Sequence, residues 1–251
     1  MGSIGVESFQ TTFAVPLHCD SCVESVTKVL NEVDGVHKIE AALKDQTVLV
    51  EGTAPPSAVV AAIESTGRDA ILRGSGKSNG AGVCILETHA PAIRDPVRGL
   101  ARMVQVGENK TLVDLTLKGV SSGTYYATVR ETGDISQGAA STGGVWEAIK
   151  RAVGFESEQE PARGMFGTIT VGKDGRGSTF LDRPVAIWEL IGRGMVVSKS
   201  AHAGLQKNDP DTLVGVIARS AGVWDNDKVV CSCSGKTVWQ ERKEQQAQGM
   251  L

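Results

Sequence analysis

The sequence predicts two folded domains of different class, an α+β domain at residues 7–72 and an all-β domain at residues 81–224. Glycine supports this division, because 3 of the 30 glycines lie in residues 7–72, 23 lie in 73–224 and 2 lie in 225–251. Hydrophobic spacing supports it too, since helical and strand-like periods alternate up to residue 72 and only strand-like runs follow. A chain of 251 residues allows two such domains, with a linker at 73–80 and a tail after them.

The first domain is predicted to have the order βαββαβ, which is the ferredoxin-like motif. Alternating apolar residues predict its strands, and apolar residues three or four positions apart predict its helices. The strands are expected at 9–15, 36–43, 47–50 and 69–72, and the helices at 23–33 and 55–65. Pro55 at the start of the second helix fits the preference of proline for the first helical turn.

The second domain is predicted to be a β-sandwich or barrel. In the strand expected at 111–118, Val113, Leu115 and Leu117 point one way, and Asp114, Thr116 and Lys118 point the other. Other alternating runs, separated by glycine-containing turns, are expected at 83–86, 101–105, 125–131, 167–171, 192–198 and 213–218. Residues 73–80 are polar and rich in glycine, which is typical of a flexible linker.

Charge and hydropathy exclude two classes of partner. Lys and Arg number 26 against 29 Asp and Glu, a formal net charge of −3, so the chain lacks the basic surface that nucleic-acid binding requires. No apolar run approaches the roughly 20 residues of a membrane-spanning helix, so we expect no membrane insertion. The first residues do not resemble a secretory signal, and a cytoplasmic location is expected.

Cys19 and Cys22 form a CxxC motif where the first strand gives way to the first helix. The unpaired N–H groups at a helix N-terminus favour an anion, so at least one of these thiols should ionise readily. Two exposed thiolates suit a soft monovalent ion, and copper(I) is the soft candidate, whereas zinc would need two further ligands. A thioredoxin-like redox pair is the alternative; we favour metal because the strand order differs and no proline separates the cysteines.

Cys231 and Cys233 form a CxC motif in the tail. The pair could chelate one ion if the chain curls, or could exchange with a sulfur of another protein through a mixed disulfide. A surface pair without a role and a four-cysteine zinc site with the CxxC pair are the alternatives. The fifth cysteine, Cys84, lies in an apolar run and is expected to be a buried strand residue.

These motifs together resemble the copper chaperones of copper/zinc superoxide dismutase, in particular the fungal type. The resemblance covers all three segments. It rests on the His18-Cys19-x-x-Cys22 loop, on 67–74, on the dismutase-like stretches 81–86, 173–175, 190–197 and 215–217, and on 218–224 and 231–239.

The resemblance implies that residues 7–72 form an Atx-like heavy-metal-associated domain and that 81–224 form a Greek-key sandwich or barrel of superoxide dismutase type. It implies copper(I) on Cys19 and Cys22, with Cys231 and Cys233 as further ligands and as the thiols that transfer copper. Cys231 is expected to attack a cysteine of a superoxide dismutase subunit, forming a mixed disulfide that resolves into the partner's internal disulfide. Arg68 is expected near the metal loop, where it either offsets the charge of a copper(I) dithiolate or stays a solvated surface charge.

The same resemblance implies a heterodimer with the dismutase subunit, formed through the surface that dismutases use to dimerise, and a homodimer as another use of that surface. It also implies a cytoplasmic location, with the mitochondrial intermembrane space as a second compartment.

The departures from a dismutase predict that the second domain is not an enzyme. At positions where a dismutase has copper-ligating histidines, the sequence has Thr128, Arg130, Val145 and Ser198. Ala139 and Val214 stand at the positions of the dismutase disulfide cysteines. A dismutase-like enzyme and a general thiol-disulfide oxidoreductase are the alternative functions.

Leu17 stands where Atx-type loops usually have an inward-packing methionine, and little change is expected because the two side chains are nearly isosteric.

Overall fold

The computed structural model describes residues 7–146, 162–201 and 205–223, together with 236–237, 239–240 and 243–244 of the tail. The predicted fold class is confirmed, because an α+β domain is followed by a domain composed almost entirely of strands. No helix among the described residues is long and apolar enough to cross a membrane.

The first domain has the predicted βαββαβ order. Its elements are β1 (Phe9–Ala14), α1 (Asp20–Asn31), β2 (Val36–Ala42), β3 (Thr47–Gly52), α2 (Pro56–Glu64) and β4 (Ile71–Ser75). The strands form an antiparallel sheet in the order β2-β3-β1-β4. The buried side chains of both helices, Val26, Leu30, Val59 and Ile63, share one hydrophobic core with Phe13, Val48 and Val50 of the sheet. This core fixes where α1 begins and so where the CxxC loop lies.

The predicted flexible linker is wrong for residues 73–75. Strand β4 continues past its expected end at Leu72 to Ser75, with Thr11 of β1 opposite Ser75 and Thr12 opposite Gly74. Residues 73–75 are buried. Glycine and serine are typical of linkers, but here a neighbouring strand and, beyond it, the second domain cover these residues.

Nine of the ten strands that the structure describes in the second domain form a single sheet. The elements of this domain are β5 (Ala81–Thr88), β6 (Val97–Gly107), β7 (Lys110–Lys118), β8 (Gly123–Val129), β9 (Ser136–Ala139), β10 (Met165–Val171), β11 (Arg176–Arg183), α3 (Ile187–Leu190), β12 (Gly194–Ser198), β13 (Leu213–Val216) and β14 (Ala218–Ser220). The strand order is β10-β8-β12-β13-β5-β6-β7-β11, and β14 also pairs with β5. The two outermost strands, β10 and β11, are consecutive in the chain, and at the turn between them the Gly172 N–H donates to the Arg176 carbonyl at 2.9 Å. The sheet therefore curls almost into a barrel around its core.

Candidate metal centre

The CxxC loop lies at the start of α1, as the sequence predicts. Cys19 is the N-cap residue of the helix with an extended backbone, and Cys22 lies in the first turn. Leu17, just before the loop, is 2% exposed and belongs to the same core cluster as Cys22. The inward packing expected at position 17 is thus present, and it anchors the loop to the core.

The two thiols of the loop lie close together but are not bonded. The Sγ atoms of Cys19 and Cys22 are 3.4 Å apart, well beyond the ~2.05 Å of a disulfide. Both cysteines are free; Cys19 is exposed and Cys22 is buried. The Cys19 Sγ also lies 3.0 Å from the Ser21 hydroxyl. One sulfur is therefore held by the core, and the other is open to an approaching partner.

The environment of Cys22 favours the thiolate. Its pKa is lowered from 9.0 to about 6, chiefly by a hydrogen bond from the Arg68 side chain and then by hydrogen bonds from the His18 backbone and from the Cys19 side chain. Burial acts in the opposite direction and raises the pKa of Cys22, but it is outweighed. The Arg68 guanidinium is also oriented by the Thr66 carbonyl, to which it donates at 3.2 Å. The Arg68 side chain therefore lies within hydrogen-bonding reach of Cys22.

The donor set of this loop is two sulfurs. Within the ranges that the structure describes, no group of three or more His, Cys, Asp or Glu side chains could hold a metal ion. A pair of thiolates without a third ligand suits a soft ion of low coordination number and does not meet the four ligands that structural zinc takes.

The other cysteines differ in what the structure says of them. Cys84 is fully buried, as expected, and burial raises its pKa to about 12, so this thiol is inert. Cys231 and Cys233 lie outside the described residues. After them, the Thr237 hydroxyl accepts the Gln240 N–H at 3.2 Å and the Gln240 side chain accepts the Thr237 N–H at 2.8 Å, which are the two hydrogen bonds of a capping box.

The positions at which the resemblance implies dismutase copper ligands hold groups that bond to the protein's own backbone. The Thr128 hydroxyl donates to the Val196 carbonyl at 3.2 Å, and the Ser198 hydroxyl donates to the Ser200 carbonyl at 2.6 Å. Val145 lies opposite Arg130 in an isolated bridge.

Arg130 itself is 5% exposed, and its guanidinium donates to the carbonyls of Gly143 and Ala201 and to the Thr142 hydroxyl. A buried guanidinium repels a metal cation. Ala139 and Val214, at the implied disulfide positions, meet instead in an apolar cluster with Val196.

Two residues of the second domain are not singled out by the sequence. Asp114 was expected to point away from Val113, Leu115 and Leu117, and its side chain is 2% exposed. Trp188 on α3 is 70% exposed, the highest value among the exposed large hydrophobic side chains of the described residues. The run around Trp188, residues 185–191, is largely apolar and gives no signal that this side chain is exposed, and Asp114 has no local signal either.

Comparison with known proteins gives two matching domain families, in the same order along the chain. The family model of the heavy-metal-associated domain matches residues 12–69, and that of copper/zinc superoxide dismutase matches residues 97–219. A Debaryomyces hansenii protein named superoxide dismutase 1 copper chaperone is 46% identical, over 97% of this chain and 98% of its own length. The protein of that name from Saccharomyces cerevisiae is 41% identical, over 95% and 96%. The human protein named copper chaperone for superoxide dismutase is 34% identical, over 92% and 88%.

Proposed function

The chain belongs to the family of superoxide dismutase copper chaperones, and from this premise we propose that it carries copper(I) on Cys19 and Cys22 and delivers it to a copper/zinc superoxide dismutase subunit. The observation that carries the proposal is the pair of free thiols 3.4 Å apart, of which Cys22 has a pKa of about 6. A thiol with that pKa is mostly ionised at neutral pH and needs no proton loss before it binds a metal.

Copper(I) is the ion that this loop fits best. Thiolates are soft ligands and select copper(I), and two sulfurs satisfy its low coordination number. A copper(I) ion with two thiolates carries a net negative charge, which the Arg68 guanidinium beside Cys22 offsets. Exposure of Cys19 leaves one ligand open to a competing thiolate, so copper can leave by ligand exchange without a free ion forming.

We propose that Cys231 and Cys233 pass copper to the partner as thiolates and that, once dioxygen has oxidised them to a disulfide, they oxidise two cysteines of the partner. Two thiols form a disulfide only when two electrons are removed, so the exchange step requires the tail pair as a disulfide. A thiolate of the partner attacks Cys231, which forms a mixed disulfide and releases the Cys233 thiolate. The partner's second thiolate then attacks the partner sulfur that is bonded to Cys231. This forms the partner's internal disulfide and releases the Cys231 thiolate. The partner's two electrons thus end on the tail, and dioxygen is the class of oxidant that re-forms the tail disulfide.

The dismutase-like domain is proposed as the docking domain. We expect it to form a heterodimer with a dismutase subunit, and a homodimer when no partner is present, through one surface. An exposed large aromatic side chain is typical of such a surface, and Trp188 is the candidate on this domain.

Dismutase activity is not expected of the dismutase-like domain, because Arg130 and Val145 supply no metal ligand. A chain with all four of Cys19, Cys22, Cys231 and Cys233 changed to Ser should therefore bind no copper and show no dismutase activity.

The function is tested by mixing the copper-loaded protein with metal-free, disulfide-reduced superoxide dismutase and measuring the dismutase activity that appears. Cys19→Ser with Cys22→Ser should reduce copper loading, whereas Cys231→Ser with Cys233→Ser should load copper at the loop but fail to activate the partner. Cys84→Ser is the matched control and should activate normally, because Cys84 is buried and inert. Full activation of the partner by the Cys231 and Cys233 double variant would refute the tail mechanism. If wild type oxidises unrelated reduced proteins as fast as it oxidises the dismutase subunit, the general oxidoreductase is favoured instead.

A further inference from the structure

Helix α2 of the first domain lacks an N-terminal cap of its own. Its N-cap residue is Pro55, whose side chain makes no capping hydrogen bond, and its first helical residue is Pro56. Proline has no N–H, so the first backbone donor of the helix is Ser57. A donor at this position is normally satisfied by a Ser, Thr, Asp or Asn at the N-cap, and none is present here.

The missing cap is supplied by the other domain. The carboxylate of Asp114, on β7, accepts the Ser57 backbone N–H at 2.8 Å through Oδ2 and the Ser57 hydroxyl at 2.7 Å through Oδ1. The Asp114 side chain is 2% exposed, and the Arg102 guanidinium lies 3.7 Å away on β6. Hydrogen bonds to an ionised acceptor are stronger than those between neutral groups, and these two also face the positive end of the helix dipole.

Two further contacts join the domains beside this cap. Phe9 of β1, 7% exposed, packs in an apolar cluster with Val104 and Leu112 of the second domain. At the end of the second domain, the Ser75 N–H donates to the Ala221 carbonyl at 3.1 Å and the Val223 N–H donates to the Gly76 carbonyl at 3.0 Å. The chain just before the tail thus lies along the edge of the first domain's sheet.

Close approach of the backbones is required at this edge. A Cβ on Gly74 would lie 2.1 Å from the Gly222 carbonyl oxygen, so only glycine fits at position 74. The Thr12 hydroxyl lies 3.5 Å from the Val223 carbonyl and adds a contact from the neighbouring strand.

We propose that these contacts form an interdomain clamp, in which Asp114 caps α2 from the other domain and residues 221–223 extend the first domain's sheet, so that the two domains move as one rigid body. The clamp holds the CxxC loop, the dismutase-like domain and the origin of the tail in one fixed arrangement. Asp114 is a positioning residue in this arrangement, because it acts through α2 and touches neither thiol. The proposal is independent of which metal is carried, and it is tested on the metal-free chain.

The test is backbone 15N relaxation of the full-length protein, from which a rotational correlation time is obtained for each domain separately. Wild type should give one correlation time for both domains. Asp114→Ala should shorten the value for the first domain relative to the second, because the cap is lost. Hydrogen exchange of the Ser57 amide should speed up by about tenfold or more, since a bond to a charged acceptor is removed.

Two matched variants separate the clamp from a loss of stability. Thr116→Ala removes a hydroxyl that bonds to the Leu100 carbonyl from the same strand as Asp114, and Ser65→Ala removes a hydroxyl that bonds to Ala62 at the other end of α2. Both should keep the single correlation time. Ser57→Ala retains the backbone N–H that donates to Asp114. The amide at position 57 should therefore exchange more slowly in Ser57→Ala than in Asp114→Ala. Should Asp114→Ala fail to fold, Asp114→Asn keeps one acceptor oxygen and should give an intermediate loss of protection.

Two results would overturn the proposal. One is independent tumbling of the two domains already in wild type. The other is a single correlation time that persists in a folded Asp114→Ala or Asp114→Asn variant, together with unchanged exchange of the Ser57 amide.

Discussion

Arg68→Ala is expected to raise the pKa of the Cys22 thiol. With a pKa of about 6, roughly 90% of this group is thiolate at pH 7, whereas its ordinary value of 9.0 would leave about 1%. The hydrogen bond from Arg68 is the largest cause of the lowered pKa. A nearby cation or a hydrogen bond to the charged form shifts a pKa by about one unit or more, so the variant should be no more than about half ionised at pH 7.

The assay is the rate of alkylation by iodoacetamide as a function of pH, followed at each cysteine by peptide mass spectrometry under reducing, metal-free conditions. Only the thiolate reacts, so the pH at half-maximal rate reports the pKa of the group. Cys84 is an internal control, since its pKa of about 12 and its burial should keep it unmodified in the folded chain. Arg176→Ala removes an exposed arginine on β11 and should leave the Cys22 profile unchanged.

The same shift makes the stability of the metal-free protein depend on pH. The folded-state pKa of Cys22 lies below the unfolded value, so between about pH 6 and pH 9 the unfolded chain binds more protons at this thiol than the folded chain. The contribution of Cys22 to stability therefore grows as the pH rises through this window and is lost as the pH falls through about 6. Arg68→Ala should narrow this pH range, because it moves the folded-state pKa of Cys22 towards the unfolded value. An unchanged alkylation profile in Arg68→Ala would refute the assignment of Arg68 as the main cause.

Three further substitutions test packing and docking. Leu17→Met should change the free energy of unfolding by less than about 1.5 kcal/mol in denaturant titration, because the volumes are similar; a larger loss would mean that the loop anchor is shape-specific. Gly215→Ala should destabilise by about 1–3 kcal/mol or more, because a Cβ there would lie 1.9 Å from the Ile85 carbonyl oxygen and 2.8 Å from the Cys84 sulfur; wild-type stability would contradict this close approach. Trp188→Glu should leave the free energy of unfolding within about 0.5 kcal/mol of the wild-type value. It should weaken binding to a dismutase subunit by about 2 kcal/mol in titration calorimetry, and unchanged affinity would place the docking surface elsewhere.

Local patterns were sufficient to predict most of the fold. The helical spacing of Val26 and Leu30 and the alternation of Val113 and Leu115 correspond to buried faces in the structure. Strand β11 was missed, because most of its residues are polar, and its two large apolar residues, Phe180 and Leu181, are adjacent and show no alternation. Its position is determined by pairing along residues 111–118 of β7, where Arg176 lies opposite Lys118. Pairing of this kind links distant parts of the chain and leaves no periodic signal in the strand itself.

The sequence by itself determined the two-domain division, the order of elements in the first domain and the placement of Cys19 and Cys22 at a helix N-terminus, since each depends on the spacing of neighbouring residues. Only the tertiary structure decided that Arg68 contacts Cys22 and that Asp114 is buried against α2. The physical reason is that the ionisation of a thiol or carboxylate depends on the charges, donors and burial around it. Those surroundings come from residues far apart in the chain, and they exist only once the elements that carry them have packed together.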